Sequence, residues 1–152
     1  MQRVLTLIGC GKQKVDHPAP AKDLYTGSQF KGARQAAEAL GYPWAVFSAG
    51  HGVCDPDEVI DTYDRAPLRN PDEATPTERL RIRLALAEWD LIIALTTRTY
   101  TAMAERAAPG KVIPVLAGTK GMGYQRAIFV QIRDTGRLPE PHHTRLLEAV
   151  RV

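Results

Sequence analysis

Four short runs of apolar residues stand out along the chain, at residues 4–9, 44–48, 91–95 and 111–115. Each run is rich in β-branched, leucine or aromatic residues, a pattern that predicts a buried β-strand. The run at 91–95, Leu-Ile-Ile-Ala-Leu, is apolar at every position, which is typical of a central strand in a parallel sheet. The pattern therefore predicts a sheet that contains these four strands.

Between these runs, apolar residues recur at helical spacing. The segments predicted to be helical are 28–40, 55–63, 77–89, 97–107, 124–135 and 144–150. Ser28 is a suitable N-cap and Gly41 a suitable stop for the first helix, while Asp55 and Pro56 suit the start of the second. Alternating strands and helices predict one α/β domain over residues 1–152, with a parallel sheet and right-handed crossovers.

Composition and charge narrow the class of protein. The 152 residues include 44% hydrophobic and 24% charged residues, which suits one soluble globular domain. No apolar run approaches the ~20 residues that span a bilayer, so no membrane partner is expected. The formal net charge is +3, and most of the basic residues are arginines. This charge is compatible with a polyanionic partner but does not require one.

The cysteines and histidines indicate neither a disulfide framework nor a metal site. With two cysteines, Cys10 and Cys54, a reducing cytoplasm is the expected location. Cys10, His17, His51 and Cys54 could in principle hold zinc, but their spacing matches no common metal motif. We therefore expect neither a metal nor a cofactor.

The carboxyl ends of the predicted strands are the expected place for a ligand site. In open parallel sheets, ligands bind outside these ends. The segments that follow the four strands are 10–14, 48–55, 96–99 and 117–124. We expect the first two of these segments to meet around a single cleft.

The first segment is a glycine-rich turn, Gly9-Cys10-Gly11-Lys12-Gln13-Lys14. It lacks the glycine spacing and the Ser or Thr of a P-loop, and the later stretch 118–123 lacks a dinucleotide-binding pattern. Lys12 and Lys14 could still bind phosphate, or one of them, if desolvated, could act as a nucleophile. The alternative is a solvated basic turn.

The second segment brings a histidine between glycines to the end of a strand. His51 could transfer a proton or bond a ligand, or it could bond its own loop. In the predicted helix that follows Asp55, the spacing of Asp57, Asp61 and Asp64 gives them one shared face. That face is either solvated or supplies a carboxylate that orients water or stabilises a sugar cation.

Three tyrosines, Tyr25, Tyr63 and Tyr124, lie in or beside the predicted site segments. Each ring could stack on a nucleobase. Each could instead close the edge of the core, because tyrosine combines an apolar ring with a polar hydroxyl group.

Four segments resemble a family of small bacterial and phage proteins that is itself similar to the peroxide-stress protein family YaaA. The segments are Cys10-Gly11-Lys12-x-Lys14, Asp23-Leu24-Tyr25-Thr26-x-x-x-Phe30, Ser48-Ala49-x-His51-Gly52-x-x-Asp55-Pro56 and Ile60-x-x-Tyr63-Asp64. The lysine turn is also loosely similar to the Pro-Cys-Ser-x-x-Lys motif in the lysine-bearing domain of archaeosine synthase. The resemblance is best over residues 4–64.

This resemblance implies a three-layer α/β/α fold with a four-stranded parallel sheet, similar to that of uracil-DNA glycosylases. It also implies a DNA glycosylase, an N-glycosidase that excises a modified base after flipping it out of the helix. The implied base is a modified cytosine, such as glucosylated hydroxymethylcytosine in phage DNA, and the implied role is anti-phage defence. The chain lacks the Gly-Gln-Asp-Pro-Tyr and His-Pro-Ser motifs of ordinary uracil glycosylases, so uracil is not the expected base.

The residues expected to take part in such a reaction fall into three groups. The catalytic candidates, which would stabilise the sugar cation, position water or attack the sugar, are Asp55, Asp61, His51, Lys12 and Lys14. The substrate-binding candidates are Cys10, Gly11, Tyr25, Ser48, Gly52 and Tyr63. The candidates for contacts with the DNA are Arg98, Lys120, Tyr124 and Arg126.

Two other functions are compatible with the same residues. One is a DNA-binding stress protein similar to YaaA, without catalytic activity. The other is a hydrolase of free modified nucleosides or nucleotides. Only a DNA glycosylase should leave abasic sites in DNA, and only the nucleoside hydrolase should turn over mononucleosides while binding DNA weakly.

Overall fold

The computed structural model of the protein describes residues 2–151. The main sheet has the strand order β4-β3-β1-β6-β7, formed by β1 (Val4–Gly9), β3 (Trp44–Ser48), β4 (Gly52–Cys54), β6 (Leu91–Leu95) and β7 (Val112–Pro114). A separate antiparallel pair consists of β2 (Ala19–Pro20) and β5 (Val59–Ile60). The helices are α1 (Ala21–Leu24), α2 (Ser28–Leu40), α3 (Pro76–Ala87), α4 (Arg98–Ala107), α5 (Met122–Thr135) and α6 (His142–Val150), with a short 3-10 helix at Pro71–Glu73.

The four predicted strands are confirmed, and they run parallel in the order β3-β1-β6-β7. The sheet nevertheless has a fifth strand, because β4 folds back antiparallel onto β3, with Ser48 opposite Gly52 and Val46 opposite Cys54. The expected all-parallel, four-stranded sheet is therefore wrong in this respect. Gly52 has a φ of +73°, a left-handed conformation in which glycine is favoured and which helps the chain reverse within a few residues.

Helices cover both faces of the sheet, so the architecture is α/β with buried strands between two helical layers. Side chains of β1 alternate between the layers: Ile8 packs in the cluster that includes α2 and α5, and Leu7 in the cluster that includes α3 and α4. The predicted helices 28–40, 77–89, 97–107, 124–135 and 144–150 are confirmed, with ends that shift by at most two residues. Within residues 2–151, no helix has both the length and the apolar character to cross a membrane.

The helix predicted over 55–63 is wrong. Cys54 pairs with Val46 in the sheet, and the Asp55 side chain accepts a hydrogen bond from the Asp57 backbone at 2.9 Å, which makes a turn. The chain then enters β5, which pairs with β2. The expectation that Asp57, Asp61 and Asp64 share a helical face is wrong for the same reason.

Two details of the chain before and at α2 also differ from the sequence-based predictions. Ser28 is the first residue of α2 rather than its cap, since Gly27 occupies the N-cap position. The segment from Cys10 to Thr26, to which the sequence pattern assigns neither a strand nor a helix, contains β2 and α1. Gly41 does terminate α2, as predicted, with a φ of +80°.

Candidate functional site

A cavity of about 440 Å³ opens at the carboxyl end of β1 and β6. Its walls come from the turn after β1, from residues 95–97 at the end of β6, and from the first turns of α2 and α5. Its floor is apolar and includes the buried side chains of Phe30, Leu95, Leu116 and Phe129. This is the edge of the sheet at which the strand order predicts a ligand site.

The charges around this cavity are suited to an anion. Helices α2, α4 and α5 begin at its wall, where the caps or first residues Gly27, Thr97 and Met122 lie. Backbone N–H groups at helix N-termini carry partial positive charge and favour anions. Lys12 and Arg126 add full positive charges. Among the described residues that line the cavity, none is an Asp, Glu or His.

A hydrogen-bonded chain of side chains joins the starts of α2 and α5 along the wall of this cavity. Arg126 donates from Nη2 to the Ser28 hydroxyl at 2.6 Å and from Nε to the side-chain Oε1 atom of Gln29 at 3.4 Å. Gln29 donates from Nε2 to the side-chain Oε1 atom of Gln125 at 2.7 Å. This chain fixes the orientation of both amide groups.

A second cavity, of about 540 Å³, lies beside the first between α4 and the loop that follows β7. The two cavities share Thr96, Leu116 and Gln125, which therefore form the partition between them. The second cavity is otherwise lined partly by polar side chains, including Arg98 and Glu105. A ligand larger than the main cavity could extend past the partition into this space.

Beside the main cavity, three hydroxyl groups form a closed triangle. Tyr25 donates to the Ser48 hydroxyl at 2.8 Å, Ser48 donates to Tyr63 at 3.1 Å, and the two tyrosine oxygens are 2.7 Å apart. The Ser48 oxygen also accepts from the backbone N–H groups of Gly50 and His51. Each hydroxyl can therefore donate once within the triangle, so the Ser48 hydroxyl both donates and accepts and is held in place rather than free to act as a nucleophile.

Burial of this cluster keeps its hydroxyl groups protonated. Desolvation raises the pKa of Tyr25, although the bond to Ser48 works in the opposite direction. Desolvation also raises the pKa of Tyr63, assisted by the neighbouring Cys10 thiol. The tyrosines are therefore hydrogen-bonding groups at neutral pH, and the buried Tyr25 is not available to stack on a ligand.

The lysine turn is tied to this triangle and also borders the main cavity. Lys14 donates from Nζ to the Lys12 carbonyl oxygen at 3.0 Å, and its Nζ lies 4.5 Å from the centroid of the Tyr63 ring. Lys12 is exposed and lines the cavity, as does Gly11. The two lysines thus differ: Lys14 is held by its neighbours, and Lys12 faces the ligand space.

Cys10 lines the main cavity and contacts a buried tyrosine. Its Sγ atom lies 3.4 Å from the Tyr100 hydroxyl oxygen, which also accepts a hydrogen bond from the Leu68 backbone N–H at 2.9 Å. Desolvation, together with Cys10, raises the pKa of Tyr100. The other cysteine, Cys54, is buried in the edge strand, and its desolvation raises its pKa to about 12.

The histidine and carboxylate candidates lie away from the main cavity. His51 is exposed, and its Nε2 atom is 2.8 Å from the Asp61 carbonyl oxygen, so this ring bonds its own loop. Asp55 is exposed in the turn after β4, and the Asp61 side chain is exposed too. Neither they nor Gly52 line the cavity. Within residues 2–151, no group of three or more His, Cys, Asp and Glu residues is arranged to hold a metal ion.

The predicted DNA contacts are spread along one edge of the molecule. Arg126 lines the main cavity and Arg98 the second one. Lys120 and Tyr124 are exposed in the loop and first turn that lead into α5, outside both cavities. All four are available to a polyanion that approaches this edge.

Sequence analysis missed the two glutamines that form the cavity wall. Gln29 and Gln125 each lie one residue beyond a position that was singled out, Ser28 and Tyr124. Their spacing along the chain gives no indication that they meet. Both glutamines lie near the start of a helix whose N-cap is a glycine. This is the one local feature that could have identified them.

Comparison with known proteins identifies the family of the chain but not its function. Residues 5–131 match DUF6884, described as a family of unknown function. No curated protein matches the chain. No solved structure matches it either.

Proposed function

Since the chain belongs to DUF6884, a family of unknown function, we propose its activity from the site: a DNA N-glycosylase that takes a flipped, modified nucleotide into the main cavity. The observation that carries this proposal is the combination of an apolar floor and a cationic rim in one cavity. A volume of about 440 Å³ lies within the usual range for small-ligand sites, roughly 300–1,000 Å³. A nucleotide has both parts that such a cavity would bind, an aromatic base and an anionic phosphate.

The binding mode follows from the distribution of polar groups. The base would pack on Phe30 and Phe129, and the phosphates would lie against Arg126 and the helix N-termini. Extruding a base from the stack costs a few kcal/mol. Contacts of the DNA on either side of the flipped nucleotide with Arg98, Lys120 and Tyr124 would offset part of that cost. These contacts would also make binding depend on the salt concentration.

Lys12 is the catalytic candidate that the cavity favours, because it is the one of the five that lines it. Its amine would attack C1′ of the sugar while the C1′–N bond breaks, and the base would leave with the bonding electrons and take up a proton. The nitrogen would then give up two protons, one balancing the proton taken up by the base and one passing to O4′ as the C1′–O4′ bond of the sugar ring breaks, which leaves an imine between Lys12 and C1′. In a hydrolytic alternative, a carboxylate such as Asp55 or Asp61 would position water, which requires a movement of either side chain towards the cavity.

The finer substrate and fold assignments rest on the family resemblance. We propose that the base is a modified cytosine, with glucosylated hydroxymethylcytosine of phage DNA as the first candidate, and that the fold is similar to that of uracil-DNA glycosylases. A substituent on the base would have room in the second cavity, on the far side of Gln125.

The test is base release from a panel of natural and phage-modified DNAs, followed by mass spectrometry of the released bases and by cleavage at abasic sites. We expect release from at least one modified DNA, loss of release in Lys12→Met, and full release in Lys31→Met. Lys31 is a matched control because it is an exposed lysine of α2 that does not line the cavity. Reduction with borohydride should trap wild-type protein on the DNA, but not Lys12→Met.

A second candidate function is DNA binding without catalysis. The specific observation in its favour is the lack of any Asp, Glu or His among the described residues that line the cavity. Salt-dependent DNA binding with every DNA in the panel left intact would favour it over the glycosylase. Turnover of free modified nucleosides with weak DNA binding would instead favour a nucleoside hydrolase.

A further inference from the structure

The amide group of Gln125 is oriented by its neighbours. The side-chain Oε1 atom of Gln29 accepts a hydrogen bond from Arg126. The Nε2 atom of the same amide therefore points the other way and donates to the Oε1 atom of Gln125 at 2.7 Å. With its oxygen engaged, Gln125 has its Nε2 group left over. Within residues 2–151, the hydrogen bond between Gln29 and Gln125 engages the oxygen of the Gln125 amide and not its Nε2 group.

The position of Gln125 makes these two N–H donors significant. Gln125 lines both cavities and forms part of the partition between them, half-buried at the start of α5. A ligand that fills the main cavity would desolvate the partition. An N–H donor that loses its water without gaining an acceptor weakens binding by about 1–3 kcal/mol. Ligands that place a hydrogen-bond acceptor against the Nε2 group of Gln125 should therefore bind more tightly than ligands that do not.

We infer that Gln125 is a specificity-determining residue that reads a hydrogen-bond acceptor, a carbonyl oxygen or an unprotonated ring nitrogen, on the edge of the bound base. This inference rests on the proposed function, because it assumes that the aromatic part of the ligand is a nucleobase. Gln29 is the positioning residue, since it determines which end of the Gln125 amide faces the ligand. An exocyclic amino group at the same place would meet N–H donors and be rejected.

Two substitutions separate these roles. Gln125→Met keeps the length of the side chain and removes the donors. Gln29→Glu leaves Gln125 in place but replaces the Gln29 donor with an acceptor, so the Gln125 amide turns to donate to Glu and presents its oxygen to the ligand. The new carboxylate would still pair with Arg126. Gln131→Met is the matched control, because Gln131 is exposed on the same helix and lines neither cavity.

The probes are two short single strands built from abasic tetrahydrofuran residues. One carries a single 5-hydroxymethylcytosine at its centre, and the other carries a phenyl ring there, which keeps the aromatic face and lacks acceptors. The quantity measured is the ratio of the two dissociation constants, in which effects on the phosphate contacts cancel. We expect wild type and Gln131→Met to prefer the base-bearing strand about tenfold, and Gln125→Met and Gln29→Glu to bind both strands equally.

The possible failures are distinguishable. If the wild type binds both strands equally, or if Gln125→Met keeps the tenfold preference, the role of Gln125 is refuted while DNA binding stands. If Gln29→Glu alone keeps the preference, the positioning role of Gln29 is refuted. If the wild type binds neither strand and releases no base from the DNA panel, the proposed function and this inference are refuted together.

Discussion

The Nζ atom of Lys14 lies 4.5 Å from the centroid of the Tyr63 ring, so the lysine turn after β1 contacts the chain that follows β5. A cation over an aromatic face is attracted by the ring's negative charge density. Tyr63 in turn accepts a hydrogen bond from Ser48, so this contact links the lysine turn to residues 48–55 through a third segment. The main cavity, however, is lined by the first segment and not by His51 or Asp55.

This contact predicts different effects for the two lysines. Lys14→Met should lower the free energy of unfolding by about 0.5–1 kcal/mol, because it removes the contact with Tyr63 and the bond to the Lys12 carbonyl. Lys12→Met should leave that free energy unchanged within about 0.5 kcal/mol, as expected for an exposed side chain. Urea denaturation measures both values. Equal stability of the two variants would contradict the assignment of Lys14 as the structural lysine.

The hydroxyl triangle gives a second prediction about stability. Ser48→Ala removes the acceptor for the Tyr25 hydroxyl and for two backbone N–H groups, in a buried place. We expect the free energy of unfolding to fall by about 2 kcal/mol. Tyr25→Phe should cost less, since it removes one hydroxyl and leaves the backbone bonds to Ser48 intact. In the double variant the two losses should not add, and strict additivity by urea denaturation would argue against a coupled triangle.

Gly50, in the turn between β3 and β4, is required for space rather than for backbone conformation. A Cβ atom on Gly50 would lie 2.7 Å from Cγ and Cδ1 of the Tyr63 ring, a distance that forces the ring to move. Gly50→Ala should therefore lower the free energy of unfolding by about 1–3 kcal/mol and shift the tyrosine fluorescence or the ring resonances of Tyr63. Gly123→Ala, in open space at the start of α5, is the control and should be neutral or stabilising. Equal effects of both substitutions would refute the steric argument.

The parts of the fold that could be predicted are those in which local pattern and tertiary burial agree. The run at 91–95 is apolar throughout because β6 is buried on both sides, and α2 ends at a glycine in the left-handed conformation. The parts that could not be predicted depend on pairing between distant segments. Asp55-Pro56 is a good helix start locally, yet pairing of Cys54 with Val46 and of β5 with β2 outweighs that preference.

In the candidate site, too, features that follow from local sequence could be predicted, and features that depend on contacts between distant segments could not. The lysine turn could be predicted because it directly follows a buried strand, and parallel strands end at one edge of the sheet. The contact between Gln29 and Gln125 could not be predicted, since 96 residues separate them along the chain. No local pattern marks two residues that meet only when the helices α2 and α5 pack together.

The turn between β3 and β4 is also connected to α3 through Arg65, which forms an ion pair with Glu78. Arg65 donates from Nη1 to the Glu78 carboxylate at 2.8 Å and to the Ala49 carbonyl oxygen at 3.0 Å. Glu78 additionally accepts from the Thr75 backbone and so completes the capping box of α3. Partial burial opposes the charge, but the Thr75 backbone bond and the Arg65 guanidinium together hold the pKa of Glu78 below its ordinary value.

A lowered folded-state pKa means that the charged carboxylate of Glu78 stabilises the fold at pH values above the ordinary glutamate pKa, about 4.3. This stabilisation is lost as the pH falls below that value and through the folded-state pKa. Glu78→Gln should therefore be less stable than wild type at pH 7, by about 0.5–1 kcal/mol because the pair is partly exposed, and the gap should close on acidification. Urea denaturation from pH 7 to pH 3 tests this, with the exposed Glu105→Gln as a control that should show little gap at any pH. A gap that stays constant across this range would mean that the shape of the Glu78 side chain, and not its charge, connects α3 to the turn between β3 and β4.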